Sequence, residues 1–197
     1  IPEDKLNTLY FAPDFKKFVK SLNVEKNGLI DNDQRLVIPF YDKEGTLIAL
    51  QGRALGESKM RYITVKIQDD NRKFFGIDTV DEDEMIYVTE GPIDSLFLKN
   101  AVATADSNLT SIEDVYDKTK VVLVFDNEPR NKEIVKIMEK AIDNHFSVVI
   151  WPEMITCKDI NEMVLDGLEP EDIEDIIERN TYVNLRAKME LINWKKV

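Results

Sequence analysis

The sequence is poor in the residues that build disulfides and nitrogen- or sulfur-ligated metal sites. Its 197 residues include one cysteine, Cys157, and one histidine, His145. A single cysteine excludes a disulfide within these residues, and it also excludes a cysteine-rich zinc site. A single histidine excludes metal chemistry that uses several imidazoles. Because disulfides are rare in reducing compartments, this composition leads us to expect a cytoplasmic protein.

Long apolar runs are also missing. No run approaches the roughly 20 residues that a membrane-spanning helix needs, so we expect no membrane partner. The chain starts with Ile1-Pro2-Glu3-Asp4, which is neither a signal peptide nor an initiator methionine. We therefore expect a fragment or a processed product. Its length permits one or two domains with sizeable cores.

Positive charge is scarce, and it is unevenly distributed. The formal net charge is −12. Residues 1–80 contain 13 Lys and Arg against 12 Asp and Glu, whereas the remainder contains 13 against 26. A protein of this charge neutralises few phosphates, so we expect weak non-specific affinity for nucleic acid. Binding along a local basic groove remains compatible with this charge, and a partner would then supply part of the affinity.

Two apolar runs end in acidic residues. Residues 85–89 lead into Glu90, and residues 121–125 lead into Asp126 and Glu128. Each run is short, rich in β-branched and aromatic residues, and bounded by polar residues, which is typical of a buried strand. In an open parallel sheet, ligands bind beyond the carboxyl ends of the strands. We therefore expect these three carboxylates to lie together at one edge.

Three neighbouring carboxylates do not all stay ionised without a cation. Carboxylate oxygens are hard ligands that suit Mg²⁺ or Mn²⁺. The pattern therefore indicates a metal-dependent site for phosphoryl transfer. The alternative is that these acids are helix N-caps or plain surface groups, which any α/β domain can carry at the ends of its strands.

The order of elements predicts an α/β fold with three parts. We expect a small N-terminal α+β subdomain over residues 1–80, a parallel sheet with helices over 81–158, and a C-terminal helical segment over 159–197. The acidic stretch 81–84 marks the first boundary. The predicted strands are 35–41, 46–53, 61–66, 85–89, 101–105, 121–125 and 147–151. The predicted helices are 14–22, 92–99, 111–116, 130–144, 159–166, 170–179 and 181–194.

The acidic motifs resemble those of a Toprim domain. Glu90-Gly91 after one strand, Asp126-Asn127-Glu128 after another, and the later Lys158-Asp159 match its three motifs in order. Toprim domains occur in bacterial-type primases, type IA and II topoisomerases, OLD-family nucleases and RecR-type proteins. Most members have Asp-x-Asp as the second motif; here Glu128 keeps the charge and reaches one methylene further. The resemblance implies that Asp159 joins the other three acids as a metal ligand.

The front half resembles the segment that precedes Toprim in DnaG-type primases, and the whole resemblance covers about residues 33–160. With no helicase motif, the chain is most similar to the stand-alone primases of T4-like phages. Arg61 replaces a family lysine, and Asp70 lies near the place of another, with Arg72 and Lys73 nearby. The elements that carry the resemblance are Arg35 to Pro39, Gly45, Gly52-Arg53, Arg61-Tyr62 and Phe75-Gly76.

The resemblance implies a DNA primase, a DNA-dependent RNA polymerase that makes short RNA primers on single-stranded DNA. Its cofactor would be Mg²⁺ or Mn²⁺. Its partners would be the DNA template, NTPs, the RNA primer and a replicative helicase, in the host-cell cytoplasm if the chain is of phage origin. Two alternatives remain open: a Toprim nuclease that uses the same metals, and a RecR-like, non-catalytic DNA-binding scaffold.

Each candidate residue has a predicted role. Glu90, Asp126 and Glu128 would be catalytic and, with Asp159, would hold metal; Glu90 would either share a metal or move a proton. Asp94 and Asp106 are either outer groups of the metal site or acids that cap or complement a helix. Arginine binds phosphates bidentately, and we expect Arg35 and Arg53 to face one shallow groove. The predicted template and NTP contacts are Arg35, Arg53, Arg61 and Lys73.

The last 35 or so residues contain apolar stripes at helical spacing. Short helices are marginal alone, so their apolar faces must be buried. Two alternatives are open: the helices dock against a replicative helicase, or they pack onto the parallel-sheet domain.

Overall fold

A computed structural model describes residues 1–68, 73–105 and 108–197, except for the side chain of Asp4. The chain has the predicted mixed α/β fold, and it forms two compact units, Ile1–Asp78 and Thr79–Val197. The division into three domains stays a prediction. Asp106 lies outside the described residues. None of the helices in the described ranges is long and apolar enough to cross a membrane.

The first unit is built on an antiparallel sheet in the order β1-β2-β3-β4. The hairpin of β2 and β3 is turned by Asp42, whose Oδ1 accepts hydrogen bonds from the N–H groups of Glu44 and Thr46. Helix α2 covers one face of the sheet and buries Phe15 and Val19 there. The elements are α1 (Glu3–Leu6), β1 (Tyr10–Ala12), α2 (Phe15–Ser21), β2 (Arg35–Tyr41), β3 (Leu47–Ala54) and β4 (Tyr62–Lys66).

The second unit contains a sheet in the order β6-β5-β7-β8-β9. The first four strands are parallel to one another, and β9 pairs with β8 in the antiparallel sense. All four residues of β7 are buried, as expected for a strand covered on both faces. The strands are β5 (Ile86–Thr89), β6 (Ala101–Ala103), β7 (Val121–Val124), β8 (Ser147–Val149) and β9 (Thr181–Tyr182).

Helices of the second unit follow its strands. Helix α4 starts after Asn131, whose Oδ1 accepts hydrogen bonds from the N–H groups of Glu133 and Ile134. Short 3₁₀ segments span Leu109–Asp114 and Lys118–Lys120. The α-helices are α3 (Pro92–Ser95), α4 (Lys132–Asp143), α5 (Ile160–Leu165), α6 (Pro170–Arg179) and α7 (Asn184–Trp194).

Three predicted helices were wrong in extent or type. The helix predicted over 111–116 is the 3₁₀ segment Leu109–Asp114. The helix predicted over 92–99 ends at Ser95, and the helix predicted over 181–194 begins at Asn184 because residues 181–182 form β9. The C-terminal part is therefore not purely helical. Helices α6 and α7 bury Ile173, Ile177 and Leu191 within their own unit, which is the second of the two alternatives for these helices.

Candidate active site

The register of β5 and β7 brings two acidic segments to the same sheet edge. These strands are parallel neighbours, and Thr89 lies opposite Val124. Glu90 directly follows β5, while Asp126 and Glu128 follow β7 after Phe125. Since both strands end here, the three carboxylates lie beyond the carboxyl edge of the sheet, where parallel α/β folds bind ligands.

A third segment, which precedes α5, is attached to the same edge. The N–H of Asn127 donates a hydrogen bond of 2.6 Å to the carbonyl of Lys158. The Nζ of Lys158 lies 3.4 Å from Asp126 Oδ2 and 3.6 Å from Glu128 Oε1. Burial alone would lower the pKa of Lys158, but the carboxylates of Asp126 and Glu128 outweigh it and raise that pKa. The ammonium therefore remains charged and offsets part of the negative charge.

The pKa of Glu90 is strongly shifted by its surroundings. Its Oε1 is buried and accepts no hydrogen bond from the described residues. Burial is the largest of the effects that raise the pKa of Glu90 from 4.5 to about 7; the charges of Asp126 and Glu128 act in the same direction, and the charge of Lys158 opposes them. Near neutral pH this carboxyl group therefore exchanges between its neutral and charged forms.

Asp94 and Asp159 bind the start of α5. Asp94 Oδ1 accepts a 2.9 Å hydrogen bond from the N–H of Asn161, and Asp159 Oδ1 accepts a 2.8 Å bond from that of Glu162. Burial is the largest of the effects that raise the pKa of Asp94 to about 7; the hydrogen bond from Asn161 opposes it, and the charge of Asp159 acts in the same direction as burial. Both side chains thus accept hydrogen bonds from the first turn of α5, and the charge of Asp159 acts on Asp94.

Gly91 makes room for Asp94. A Cβ atom at this position would lie 2.5 Å from Asp94 Oδ2, which is closer than real Cβ contacts. Any other residue at position 91 would therefore displace that carboxylate. This contact gives a steric reason for glycine in the Glu-Gly pair of the first acidic motif.

The acids of this edge, Glu90, Asp94, Asp126, Glu128 and Asp159, form what we call the acidic cluster. Within residues 1–68, 73–105 and 108–197, no three carboxylate, imidazole or thiol groups converge in the arrangement of a metal site. The chemistry of the cluster nevertheless fits a cation. Burial also raises the pKa of Asp126, the Lys158 ammonium already lies near two of the acids, and the buried Glu90 Oε1 accepts no hydrogen bond from the described residues.

Arg35 belongs to the interior of the first unit, with 1% of its surface exposed. Its Nε donates a 2.7 Å hydrogen bond to Asp33 Oδ2, and its Nη1 donates to the carbonyls of Gly52 at 2.9 Å and Arg61 at 3.4 Å. Its Nη2 donates to Ser58 Oγ at 3.3 Å. The guanidinium group is therefore fully engaged within the unit.

The prediction that Arg35 and Arg53 face one groove is wrong. Arg35 lies opposite Ala54, whereas Arg53 lies opposite Leu36 and Tyr62. Residues directly opposite in an antiparallel pair point to the same face, so the side chains of the two arginines point to opposite faces.

The other candidate cations are more accessible. Arg61 is exposed, and Arg53 and Lys73 are half-buried. The guanidinium carbons of Arg53 and Arg61 lie 5.8 and 5.9 Å from the centre of the Tyr62 ring. The two arginines therefore share one aromatic contact and form a positively charged patch around Tyr62.

Three residues of the site were not among the predicted candidates. Lys158 carried a signal, since it directly precedes Asp159 in the third motif. Asn131 binds Glu128 Oε2 through its Nδ2 at 3.0 Å, and its signal was its place at the start of a predicted helix. Asn127 is the variable middle residue of the second motif, so nothing in the sequence distinguished it.

The sequence is similar to that of a known DNA primase. No protein-family model matches the chain. The chain is 36% identical over 200 residues to a DNA primase of Enterobacteria phage T4; the match covers 100% of this chain and 58% of that protein. The chain thus spans just over half the length of this relative.

Solved structures show the same fold. The zinc-binding and RNA polymerase domains of the Aquifex aeolicus primase match 92% of this chain and 53% of their own, with a TM-score of 0.66 and 21% identity. A DnaG primase catalytic domain bound to single-stranded DNA matches 98% of this chain and 73% of its own, with a TM-score of 0.67 and 17% identity. The predicted resemblance to DnaG-type primase catalytic domains is therefore confirmed for the fold.

Proposed function

We propose that this chain is the catalytic part of a DNA primase, which synthesises short RNA primers on single-stranded DNA. The observation that carries the proposal is the acidic cluster, which combines acids from two adjacent strand ends with the Lys158-Asp159 segment. The 36% identity to a phage T4 DNA primase across the whole chain supports the same reaction.

We propose that Glu90, Asp126, Glu128 and Asp159 hold one or two Mg²⁺ or Mn²⁺ ions. The carboxylate-only donor set and the buried, unpaired Glu90 oxygen support a hard cation here. When bound, such an ion supplies the Lewis acidity that activates the 3′-hydroxyl and neutralises charge on the α-phosphate and pyrophosphate. Asn131, which binds Glu128, would keep that carboxylate in place.

Glu90 has a second possible task in the reaction. A pKa of about 7 lets this carboxyl group accept a proton and release it again at neutral pH. Its unpaired buried oxygen is the atom that would receive the proton. Proton transfer by Glu90 is therefore part of the proposal.

We propose that Arg53, Arg61 and Lys73 contact the DNA template and the NTP triphosphate. The accessible pair of arginines around Tyr62 supports such contacts, because guanidinium groups bind phosphates bidentately. Arg35 would act indirectly, since it donates to the carbonyl of Arg61. A fold shared with a primase domain solved with single-stranded DNA is consistent with this template.

We also propose a replicative helicase as a partner, in the cytoplasm of a phage-infected cell. Helix α7 exposes three large apolar residues at helical spacing, Leu185, Met189 and Ile192, which are 71%, 59% and 64% exposed. Apolar residues that lie together on the surface are typical of protein interaction sites. The phage origin of the 36% identical relative supports this setting.

One assay distinguishes this function from its alternatives. The protein is incubated with a single-stranded DNA template, NTPs, and Mg²⁺ or Mn²⁺, and the products are separated by size. We expect oligoribonucleotides that appear only when NTPs and metal are both present. Shortened DNA would instead support a Toprim nuclease, and DNA binding without any product would support a non-catalytic scaffold.

A further inference from the structure

Asn127 joins two segments of the acidic cluster. Its backbone N–H donates to the carbonyl of Lys158, and its Nδ2 donates to the carbonyls of Ile155 at 2.8 Å and Cys157 at 3.1 Å. These bonds attach the segment with Asp126 and Glu128 to the segment with Lys158 and Asp159. The amide side chain of Asn127 is therefore one of the groups that fix the relative position of the acids.

Trp194 fixes the orientation of that amide. Its indole Nε1–H donates a 3.0 Å hydrogen bond to Asn127 Oδ1. If the amide were reversed, two donors would face each other at the indole, and Oδ1 would face two carbonyl oxygens. All three side-chain bonds of Asn127 would then be lost. The indole therefore selects the one orientation in which Asn127 bridges the two segments.

The packing of α7 explains why Trp194 reaches this position. Ala187, Leu191 and Trp194 are the buried residues of the helix, and their spacing places them on one face. The end of the helix is held by an ion pair between Lys195 Nζ and Glu139 Oε1 at 2.8 Å.

A second bond connects the same end of the chain to the acidic segment. The N–H of Lys196 donates a 2.8 Å hydrogen bond to the carbonyl of Pro129, which directly follows Glu128. The end of α7 thus contacts this segment at Asn127 through a side chain and at Pro129 through the backbone. Both contacts lie within three residues of Asp126.

We propose that Trp194 is a positioning residue for the acidic cluster. It acts through Asn127 to hold Asp126 and Glu128 against the Lys158-Asp159 segment. This inference rests on the proposed function, because it assigns the cluster a role in metal binding and primer synthesis. Helix α7 then positions residues of the active site in addition to packing in the core.

The test compares two conservative variants of α7 in the full chain. Trp194→Phe keeps an aromatic ring but removes the N–H donor, whereas Leu191→Val loosens the same buried face and leaves the donor intact. Hydrogen exchange of the Asn127 backbone amide is followed by NMR, and Mn²⁺ binding is measured by titration calorimetry. In Trp194→Phe we expect Asn127 exchange to accelerate, and the Kd for Mn²⁺ to rise about tenfold, as for other residues that support ligating groups. Leu191→Val should retain both wild-type values.

A third variant tests whether Trp194 acts on Mn²⁺ binding through Asn127. In Asn127→Ala, we expect a larger rise of the Mn²⁺ Kd, and adding Trp194→Phe should then change nothing further, because the two residues act in series. Wild-type exchange at Asn127 in Trp194→Phe would overturn the inference, as would equal effects of Leu191→Val. If the wild-type protein neither binds Mn²⁺ nor makes primers, the proposed function fails, but the exchange rates still decide the role of Trp194.

Discussion

At the scale of single residues, Gly52 and Arg35 depend on each other. A Cβ atom at position 52 would lie 2.6 Å from the ring of Phe15 and 2.9 Å from Cδ of Arg35. The side chain of Arg35 therefore passes Gly52 of β3, where only glycine leaves space. Its guanidinium group then reaches Asp33 and the Ser58–Arg61 loop. This pairing gives a structural reason for two of the residues that resemble the primase pattern, the arginine of β2 and the glycine of β3.

Replacement of Arg35 should lower the stability of the protein more than its affinity for DNA. We expect Arg35→Met to destabilise the protein by about 3 kcal/mol, because it leaves Asp33 and two carbonyls without their buried donor. Arg53→Met, which removes a half-buried cation near Tyr62, should cost about 0.5 kcal/mol. Urea denaturation followed by circular dichroism measures both. A stable Arg35→Met variant that loses only DNA affinity would contradict this role.

Glu90 makes stability depend on pH. Because folding raises the pKa of Glu90 from 4.5 to about 7, the folded state binds this proton more tightly than the unfolded state does. Its stabilising contribution is complete below pH 4.5 and is lost as the pH rises through 7. Relative to Glu90→Gln, the metal-free wild-type protein should therefore lose about 5 °C in Tm between pH 5 and pH 8.

Thermal melts in EDTA across this pH range test the prediction for Glu90. Glu153→Gln is the matched control, because Glu153 is an exposed glutamate of the same unit. We expect the Tm of this control to follow that of the wild-type protein at every pH. Parallel curves for Glu90→Gln and wild type would show that Glu90 titrates no differently in the folded and unfolded states.

At the scale of elements, the strands with strong local patterns were predictable. The hairpin of β2 and β3 and the strands β5 and β7 have continuous apolar runs bounded by turn residues, so local sequence specifies them. The three-residue strand β1 and the two-residue strand β9 form only by pairing with distant partners, β2 and β8. Such pairing leaves no local pattern, and the start of the predicted C-terminal helix was misplaced for that reason.

The features of the candidate site also differ in how far the sequence predicted them. The approximate place of Glu90, Asp126 and Glu128 followed from strand ends, which the sequence marks clearly. The burial of Arg35 depended on the register of two strands and on Phe15 from α2, and the role of Asn127 depended on a tryptophan 67 residues away. Neither contact has a signature in one sequence, so both were beyond prediction.

The two faces of α7 should respond differently to mutation. Changing Leu185, Met189 and Ile192 together to serine should leave the Tm within about 2 °C of wild type, because all three are exposed. Leu191→Ala on the buried face should cost about 3 kcal/mol. If the exposed face binds a helicase, the triple variant should prime alone as wild type does but lose stimulation by the helicase. Unchanged stimulation would exclude this face as the contact.

At the scale of the whole molecule, the charge distribution limits DNA binding. With a net charge of −12 and three proposed phosphate contacts, Arg53, Arg61 and Lys73, the chain should neutralise only about three phosphates. For single-stranded DNA, the plot of log K against log salt should then have a slope of about −2. Fluorescence anisotropy over a range of salt concentrations measures this slope.

Variants of the first unit identify which cations contribute to that slope. We expect Arg61→Ala to reduce its magnitude by about 0.7, because one phosphate contact is lost. Lys66→Ala, at an exposed position on β4, is the matched control and should leave the slope unchanged. Equal slopes for wild type and Arg61→Ala would remove Arg61 from the proposed DNA contacts.

The central claim is that the acidic cluster carries out nucleotidyl transfer, and Asp126 tests it most directly. Asp126→Asn removes one charge from a cluster whose acids raise each other's pKa, so the apo protein should melt no earlier than wild type. Asp172→Asn makes the same chemical change at an exposed position of α6 and serves as the control. Primer synthesis on single-stranded DNA is measured together with thermal melting for all three proteins. We expect primers from the wild type and from Asp172→Asn, and none from a fully folded Asp126→Asn; wild-type priming by Asp126→Asn would contradict the claim.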